Sequence, residues 1–214
     1  ISILTVFYKF FSKLLTNRRL PTIKHIVSKS QFAYSRERGA HDAILNILDH
    51  AQHLKTSNSN SAGLLAIDFK SAFDSIDHGY ILNCLQLYGF GNYFCKMIST
   101  ALTNRSGTIF DENMQNIGLF KINVDVLQGD IIAPYLFLIA RAPLLARIQA
   151  CMNKTGNTEH QSVVSFADDV TIVGKMDANV IDEILFICET FKKMSGLEIN
   201  KGKSCLMYLK KPNT

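Results

Sequence analysis

Acidic side chains stand at two places where apolar segments of the chain end. Asp168 and Asp169 are adjacent, inside the run Val-Val-Ser-Phe-Ala-Asp-Asp-Val-Thr-Ile-Val. Asp68 directly follows a second apolar run, residues 63–67. Adjacent carboxylates at a turn repel each other unless a cation lies beside or between them. These residue types therefore indicate a cation site.

Oxygen-rich anionic groups are the ligands that magnesium prefers, usually one or two carboxylates completed by substrate phosphates. Two such ions about 3.5–4 Å apart can serve phosphoryl transfer. One ion lowers the pKa of an attacking hydroxyl and the other neutralises the leaving group, while the protein mainly positions charge. Asp68, Asp168 and Asp169 are thus candidate ligands for this chemistry.

The same acidic residues can also be interpreted without a metal site. A single Asp-Asp pair is more often a solvated turn, although apolar runs on both sides favour a hairpin here. Asp68, Asp74 and Asp77 could be loop acids or helix caps, since aspartate is a preferred capping residue.

Apolar periodicity predicts the elements that must position these carboxylates. Short apolar runs predict strands over residues 63–67, 108–110, 119–126, 163–166, 170–173 and 205–209. Helical spacing predicts helices over residues 78–87, 93–102 and 133–148 and a stripe from Val180 to Phe191. Without the inserted helices, the order is that of an α+β, ferredoxin-like split βαβ fold. In such a sheet the first strand lies beside the hairpin, which would bring Asp68 to Asp168 and Asp169.

The N-terminal part has a different, helical pattern. Apolar residues at helical spacing predict a core-facing first helix (Val6, Phe7, Phe10, Phe11, Leu14 and Leu15) and a second one (Ile44, Ile47, Leu48, Ala51 and Leu54). The Ser/Asn-rich residues 57–61 predict a solvent loop. A boundary between residues 1–62 and 63–214 is therefore expected.

Composition narrows the class of protein. The chain is 47% hydrophobic and 19% charged, which suits a folded core, and its net charge of +5 suits a phosphate-rich partner. Five cysteines without a Cys-x-x-Cys pair argue against a disulfide framework or zinc site and favour an intracellular setting. The apolar opening is too short for a membrane span, so no membrane association is expected.

Five segments, in order along the chain, resemble motifs of non-LTR (LINE-type) retrotransposon reverse transcriptases. Residues 66–78, Ala-Ile-Asp-Phe-Lys-Ser-Ala-Phe-Asp-Ser-Ile-Asp-His, resemble motif A, and Phe-Ala-Asp-Asp at 166–169 resembles motif C. Gln128-Gly129-Asp130 with Pro134 is similar to motif B, and residues 196–200 with Lys203 to motif D. Residues 31–34, with Arg38 and Asp42, resemble the motif ahead of A.

The resemblance implies a role for individual residues. Asp68, Asp168 and Asp169 would bind two Mg²⁺ ions, with Mn²⁺ as a possible substitute, and the backbone carbonyl of Phe69 would complete one metal shell. Phe73 would lie under the incoming sugar and clash with a ribose 2′-hydroxyl, which favours dNTPs over rNTPs.

The remaining candidates surround the incoming nucleotide in the same resemblance. Gln128 and Gly129 would lie against the nucleotide and the template. Lys203 would donate a proton to pyrophosphate, and Arg38 would contact template or triphosphate. For Phe73 the plain alternative is core packing, and for Lys203 and Arg38 it is a solvated surface position.

The implied protein is an RNA-directed DNA polymerase that adds dNTPs to a primer 3′-OH. It would consist of a palm subdomain at 63–214 and part of a helical fingers subdomain at 1–62, without a thumb. An RNA template, a DNA primer, a longer polyprotein and action in the nucleus are implied as well.

Two other functions remain open at the level of sequence. Motif B reads Leu-Gln-Gly-Asp-Ile-Ile-Ala-Pro at 127–134, whereas the family usually has Arg-Gln-Gly-Asp-Pro-Leu-Ser-Pro. This departure is compatible with a catalytically inactive remnant that folds and binds RNA. A metal-dependent nuclease or phosphatase would also use three carboxylates, but it leaves the Gln128-Gly129 segment and Phe73 unexplained.

Overall fold

The helices and strands are taken from a computed structural model that describes residues 4–35, 38–56, 61–103, 106–121, 124–126, 129–155 and 161–210. The helices are α1 (Val6–Ile26), α2 (Ala40–Thr56), α3 (Ala72–Ser75), α4 (His78–Leu87), α5 (Asn92–Thr103), α6 (Ala133–Asn153) and α7 (Ala178–Ser195). The strands are β1 (Ala62–Ile67), β2 (Ser106–Phe110), β3 (Asn116–Lys121), β4 (Ser162–Phe166), β5 (Asp169–Lys175) and β6 (Cys205–Tyr208).

Four strands form the main sheet in the order β4-β5-β1-β6, with every neighbouring pair antiparallel. Strands β4 and β5 form a hairpin, and β1 lies directly beside it, as the sequence predicts. The register pairs Ile67 with Val170 and Ala66 with Cys205. Strands β2 and β3 form a separate hairpin.

Both faces of the main sheet are covered by helices. On one face, Leu65, Ile67 and Ile172 join the large core built with α6 and α7. On the other face, α2 packs on the sheet, where its Leu54 contacts the cluster of Ala62 and Val173. The strand residues alternate between these two cores because successive side chains of a strand point to opposite faces.

Helix α6 is the central helix of the large core. It is long and apolar enough to span a membrane by length and composition, but 67% of its most apolar window is buried inside the protein. Pro134 lies in its first turn, where the missing N–H costs no hydrogen bond, and Pro143 lies inside the helix. Its apolar surface is therefore accounted for by packing in the large core.

The sequence predicts most elements correctly, and two expectations are only partly right. Helix α1 exists, but most of its apolar stripe does not face the core: Phe7 is 88% exposed and Phe10 is 63% exposed, whereas Leu15 is buried beside Ser12 and Thr16. The face that packs is therefore the one carrying hydroxyls. The strand expected at 119–126 overlaps β3 (Asn116–Lys121) over residues 119–121, residues 122–123 lie outside the described ranges, and Val124 forms an isolated bridge to Asp77.

Candidate active site

The ends of β1 and β5 bring the predicted carboxylates together. Ile67 pairs with Val170 in the antiparallel ladder, so the next residues outward, Asp68 and Asp169, lie side by side at the edge where pairing ends. Asp168 precedes Asp169 in the turn of the β4–β5 hairpin. Asp68 thus meets two acidic residues from about a hundred positions later in the chain at one end of the sheet.

The turn that carries the adjacent carboxylates is as short as a hairpin allows. Phe166 pairs with Asp169, which leaves only Ala167 and Asp168 in the loop. Ala167 has a φ of 52°, in the left-handed region that two-residue hairpin turns require and that residues other than glycine seldom adopt. The turn is therefore a strained conformation that the surrounding structure must hold.

The electrostatics show that the three acids act on one another. Although Asp169 as a residue is exposed, partial burial of its carboxyl group raises its pKa, and the charges of Asp168 and Asp68 raise it further. The guanidinium of Arg141 opposes this rise. Burial and the charge of Asp168 also raise the pKa of the Tyr34 hydroxyl. A concentration of negative charge of this kind favours a cation.

The segment after α7 holds the backbone around Asp68. The Asp68 N–H donates to Ser204 Oγ at 3.1 Å, and its carbonyl accepts from the Asn200 N–H at 2.8 Å. The next residue along, Phe69, forms an isolated antiparallel bridge with Ile199. Motif D thus fixes the direction in which motif A leaves the sheet.

Two buried side chains, those of Arg141 and Gln31, donate hydrogen bonds to the strained turn. The carbonyl of Ala167 accepts from the Arg141 guanidinium and from Gln31 Nε2, the latter at 3.3 Å. Gln31 is anchored in turn through Ser165 Oγ at 3.1 Å, and its neighbour Phe32 donates its N–H to the Ser165 carbonyl at 2.8 Å.

Aromatic rings link the turn to motif A. The Arg141 guanidinium carbon lies 5.4 Å from the ring centroid of Phe69 and 5.3 Å from that of Phe137. Phe137 stacks on Phe73 with a centroid separation of 4.3 Å. Phe73 is half-buried, so its ring rests on the core with one part left accessible.

The motif B loop is tied to α1 through a carboxylate. Gly129 has a φ of 99°, which glycine tolerates without a steric penalty. The next residue, Asp130, is buried and accepts hydrogen bonds from the Tyr8 hydroxyl at 2.9 Å, from the Ser12 hydroxyl and from the Ile132 N–H at 3.3 Å. Hence Asp130 joins the loop, the start of α6 and α1.

Two other predicted residues, Lys203 and Arg38, lie in turn or loop segments outside the strands of the main sheet. Lys203 is exposed on the turn whose Asn200 and Ser204 hold Asp68. Arg38 donates to the Lys29 carbonyl and lies 5.5 Å from the Phe32 ring centroid, within its own loop. Gln128 lies outside the described residues. Asp77, by contrast, is a helix cap: it accepts from the Tyr80 N–H at the start of α4.

The donor set suits hard divalent cations, in a site that the chain only partly supplies. Within the described ranges, no three His, Cys, Asp or Glu side chains lie together in a way that could hold a metal ion by themselves. A magnesium ion in such a site takes one or two carboxylates, and phosphate oxygens and water complete its shell. A bound cation would relieve the charge repulsion that raises the pKa of Asp169.

Several residues of this site carry no role in the sequence-based prediction. Arg141, Gln31, Asp130 and Ser204 hold the loops rather than face the reacting groups. Arg141 could have been noticed in the sequence, because it is the one charged residue in the otherwise apolar run of residues 135–146. Asp130 lies within the segment similar to motif B, but its partners lie far away in sequence, and Ser204 had no signal.

Comparisons with known proteins agree with this geometry. The family model for reverse transcriptase (RNA-dependent DNA polymerase) matches residues 1–213. A Pol polyprotein from the type-1 retrotransposable element R2 of Popillia japonica is 24% identical over 73% of the chain, and the match covers 26% of that relative. The transposon TX1 149 kDa protein of Xenopus laevis is 24% identical over 95% of the chain, and the match covers 16% of it.

Solved structures show the same fold at low sequence identity. Telomerase from Candida tropicalis, without its C-terminal domain, superposes on 91% of the chain with a TM-score of 0.70 and 11% identity, over 40% of its own length. Telomerase from Candida albicans, in complex with a fragment of telomeric RNA, superposes on 96% with a TM-score of 0.66 and 13% identity, over 35% of its length. The chain spans about a quarter or less of the curated relatives named above. With its carboxylates gathered at the sheet edge and its sequence matched almost end to end, the chain belongs to the reverse transcriptase (RNA-dependent DNA polymerase) family.

Proposed function

We propose that this chain carries the polymerase active site of a non-LTR retrotransposon reverse transcriptase, which adds dNTPs to the 3′-OH of a DNA primer on an RNA template. One observation supports this most strongly: in a member of this family, Asp68, Asp168 and Asp169 meet at one sheet edge. The relatives named as retrotransposon Pol proteins support the retroelement origin and a place within a longer polyprotein.

The three carboxylates, with the backbone carbonyl of Phe69, would hold two divalent cations, and Mg²⁺ is the ion whose ligand preference they suit best. Mn²⁺ would be accepted by the same oxygens. Such ions lower the pKa of an attacking hydroxyl and neutralise a leaving pyrophosphate. The negative charge around Asp169 is the property of this chain that draws them in.

The surrounding residues would bind and select the nucleotide. The Phe73 ring is held on Phe137 and would oppose a 2′-hydroxyl on the incoming sugar. Gly129 lacks a side chain, so backbone and substrate can approach closely, and Gln128 would lie beside it. Lys203 would serve as the proton donor to pyrophosphate, a general-acid role. Arg38 would bind template or triphosphate after leaving its present loop contacts.

The main sheet with α4 and α6–α7 would be the split βαβ palm, residues 63–214, and residues 1–62 would be part of the fingers. The sheet order β4-β5-β1-β6 supports this division, since it sets the first strand between the hairpin and the last strand. Action on chromosomal DNA would place the protein in the nucleus, as part of the proposal.

Incorporation of dTTP on poly(rA)–oligo(dT) tests the function. The chain should be expressed within the natural polypeptide that contains it, beside its Asp168→Asn, Asp169→Asn variant, with Mg²⁺ and with Mn²⁺. We expect incorporation that the double variant loses by at least 10³-fold, since electrostatic stabilisation by the ions carries most of the rate. A charge change away from the site, Asp182→Asn, is the matched control and should retain activity.

A catalytically inactive remnant is the second candidate. The four changes in motif B are the observation in its favour: Leu127, Ile131, Ile132 and Ala133 stand in place of Arg, Pro, Leu and Ser. Absence of incorporation by a folded protein that still binds the RNA–DNA duplex would decide for it. Degradation of nucleic acid without incorporation would indicate a nuclease instead.

A further inference from the structure

The interior of α6 contains a guanidinium that the proposed chemistry does not use. Arg141 is 0% exposed, and it stands among apolar neighbours in a helix with thirteen buried residues. Burial lowers its pKa to about 10, while the charges of Asp168 and Asp169 raise it. A buried charge is costly unless it is paired and hydrogen-bonded, so its retention calls for a physical reason.

Its contacts reach both parts of the candidate active site. The Arg141 guanidinium donates to the carbonyl of Ala167, the residue before Asp168, and lies 5.4 Å from the ring centroid of Phe69, the residue after Asp68. On its other side it lies 5.3 Å from the ring of Phe137. Among the described residues, its Nε and second Nη atoms have no hydrogen-bond partner, so one carbonyl and two rings fix its position.

We propose that Arg141 is a positioning residue: it ties the Asp168–Asp169 turn to the end of β1 that carries Asp68, and so sets the affinity of the site for divalent cations. The strain at Ala167 makes such a tie necessary, because a left-handed alanine persists only when neighbouring groups hold it. The inference rests on the proposed function, since it assigns the cations to these carboxylates.

Replacement of Gln31 distinguishes a positioning role of the turn contacts from an effect of the Arg141 charge. The uncharged amide of Gln31 donates to the same Ala167 carbonyl at 3.3 Å and is anchored on Ser165 at 3.1 Å. If the turn must be held for cations to bind, loss of Gln31 weakens binding just as loss of Arg141 does. If only the charge of Arg141 matters, Gln31 has no effect.

The direction in which cation affinity changes when Arg141 is replaced also distinguishes a positioning role from a charge effect. Removal of a positive charge from beneath carboxylates by itself strengthens cation binding, because like charges repel. Weaker binding after Arg141→Met therefore reports lost positioning. Residues that only orient metal ligands typically contribute 10- to 100-fold to metal affinity.

The test is the dissociation constant of Mn²⁺, measured by electron paramagnetic resonance on the full 214-residue chain without nucleotide. We expect about tenfold weaker binding or more for Arg141→Met, a loss in the same direction for Gln31→Met, and a double variant that loses less than the product of the two. Thermal unfolding by circular dichroism shows which variants are folded at the temperature of measurement.

Two controls lie on the same helix. Arg147→Met removes an exposed charge, and Ile148→Ala destabilises the core away from the turn; both should leave Mn²⁺ affinity within twofold. Unchanged or tighter binding by a folded Arg141→Met variant overturns the proposal. If that variant does not fold, Gln31→Met decides, and unchanged affinity there overturns it as well. An unsubstituted chain that binds no Mn²⁺, either alone or with dTTP present, contradicts the proposed function itself.

Discussion

Folding disfavours the ionisation of Asp169, one of the three acids of the site. Its pKa is raised by partial burial and by the charges of Asp168 and Asp68. A raised pKa in the folded state means that the chain loses stability as the pH rises through that pKa and the group ionises. The metal-free protein therefore contains electrostatic strain at neutral pH.

We expect Asp169→Asn to raise the melting temperature of the metal-free chain at pH 7 by about 1–2 °C, a small effect because the residue is exposed to solvent. The advantage should disappear as the pH falls below the pKa of an ordinary aspartate, where Asp169 is protonated in both folded and unfolded chains. Differential scanning calorimetry between pH 3 and pH 8 in chelator measures this. An advantage that does not change with pH would contradict the electrostatic cause.

Phe73 is expected to select deoxyribose over ribose in the incoming nucleotide. Its ring is held by stacking on Phe137 at 4.3 Å, so it cannot easily turn away from a ligand. We expect Phe73→Val to reduce the preference for dTTP over rUTP by about tenfold or more, because removal of the ring opens space for the 2′-hydroxyl. The kcat/KM ratio of the two nucleotides is the measurement. A ratio that stays constant while both values fall would mean that Phe73 only supports the core.

At the scale of elements, the end of α7 determines where motif D begins. Gly196 caps this helix with a φ of 81°, and a Cβ added there would lie 2.6 Å from the Ser75 carbonyl oxygen. We expect Gly196→Ala to lower the free energy of unfolding by about 2–3 kcal/mol, since backbone strain and a steric clash add together. Urea denaturation monitored by circular dichroism measures the change.

Two other glycines separate these causes. Gly89 has a φ of 76° but nothing within 4 Å of an added Cβ, so Gly89→Ala should cost only about 1 kcal/mol, the strain alone. Gly91 has neither a positive φ nor a close neighbour, and Gly91→Ala should be nearly neutral. Equal losses at Gly89 and Gly196 would show that the contact with Ser75 is unimportant.

Elements whose own periodicity sets their structure could be predicted from the sequence. The stripe of α7 buries Val180, Ile184 and Phe191, and α4 has the predicted bounds. Asp68 and Asp169 could be brought together because one antiparallel pairing, β1 with β5, does it. Side-chain contacts outside the sheet, such as Asp130 with Tyr8, follow neither a strand pairing nor a local periodicity and could not be predicted.

At the scale of the whole molecule, the main departure is the apolar face of α1. Apolar spacing indicates which residues share a face but not what that face contacts, and here the packed face contains Ser12 and Thr16, whose hydroxyls are both hydrogen-bonded. The result is an exposed patch that includes Val6, Phe7 and Phe10. Patches of this kind promote association.

We expect the double change Phe7→Ser, Phe10→Ser to reduce binding of the dye ANS and concentration-dependent association, measured by sedimentation velocity. The melting temperature should stay within about 1–2 °C, because exposed side chains contribute little to stability. Leu15→Ser, on the same helix but buried, is the control that should destabilise the fold. A large loss of stability in the double variant would show that the two rings pack in solution.

The buried guanidinium of Arg141 has a consequence for the order of folding. It can leave water at low cost only once the Ala167 carbonyl and the rings of Phe69 and Phe137 are in place. We therefore expect the β4–β5 hairpin and α6 to dock together and not as separate units. Amide protons paired between β4 and β5 should accordingly exchange with solvent mainly through global opening, although the turn that joins these strands is partly exposed.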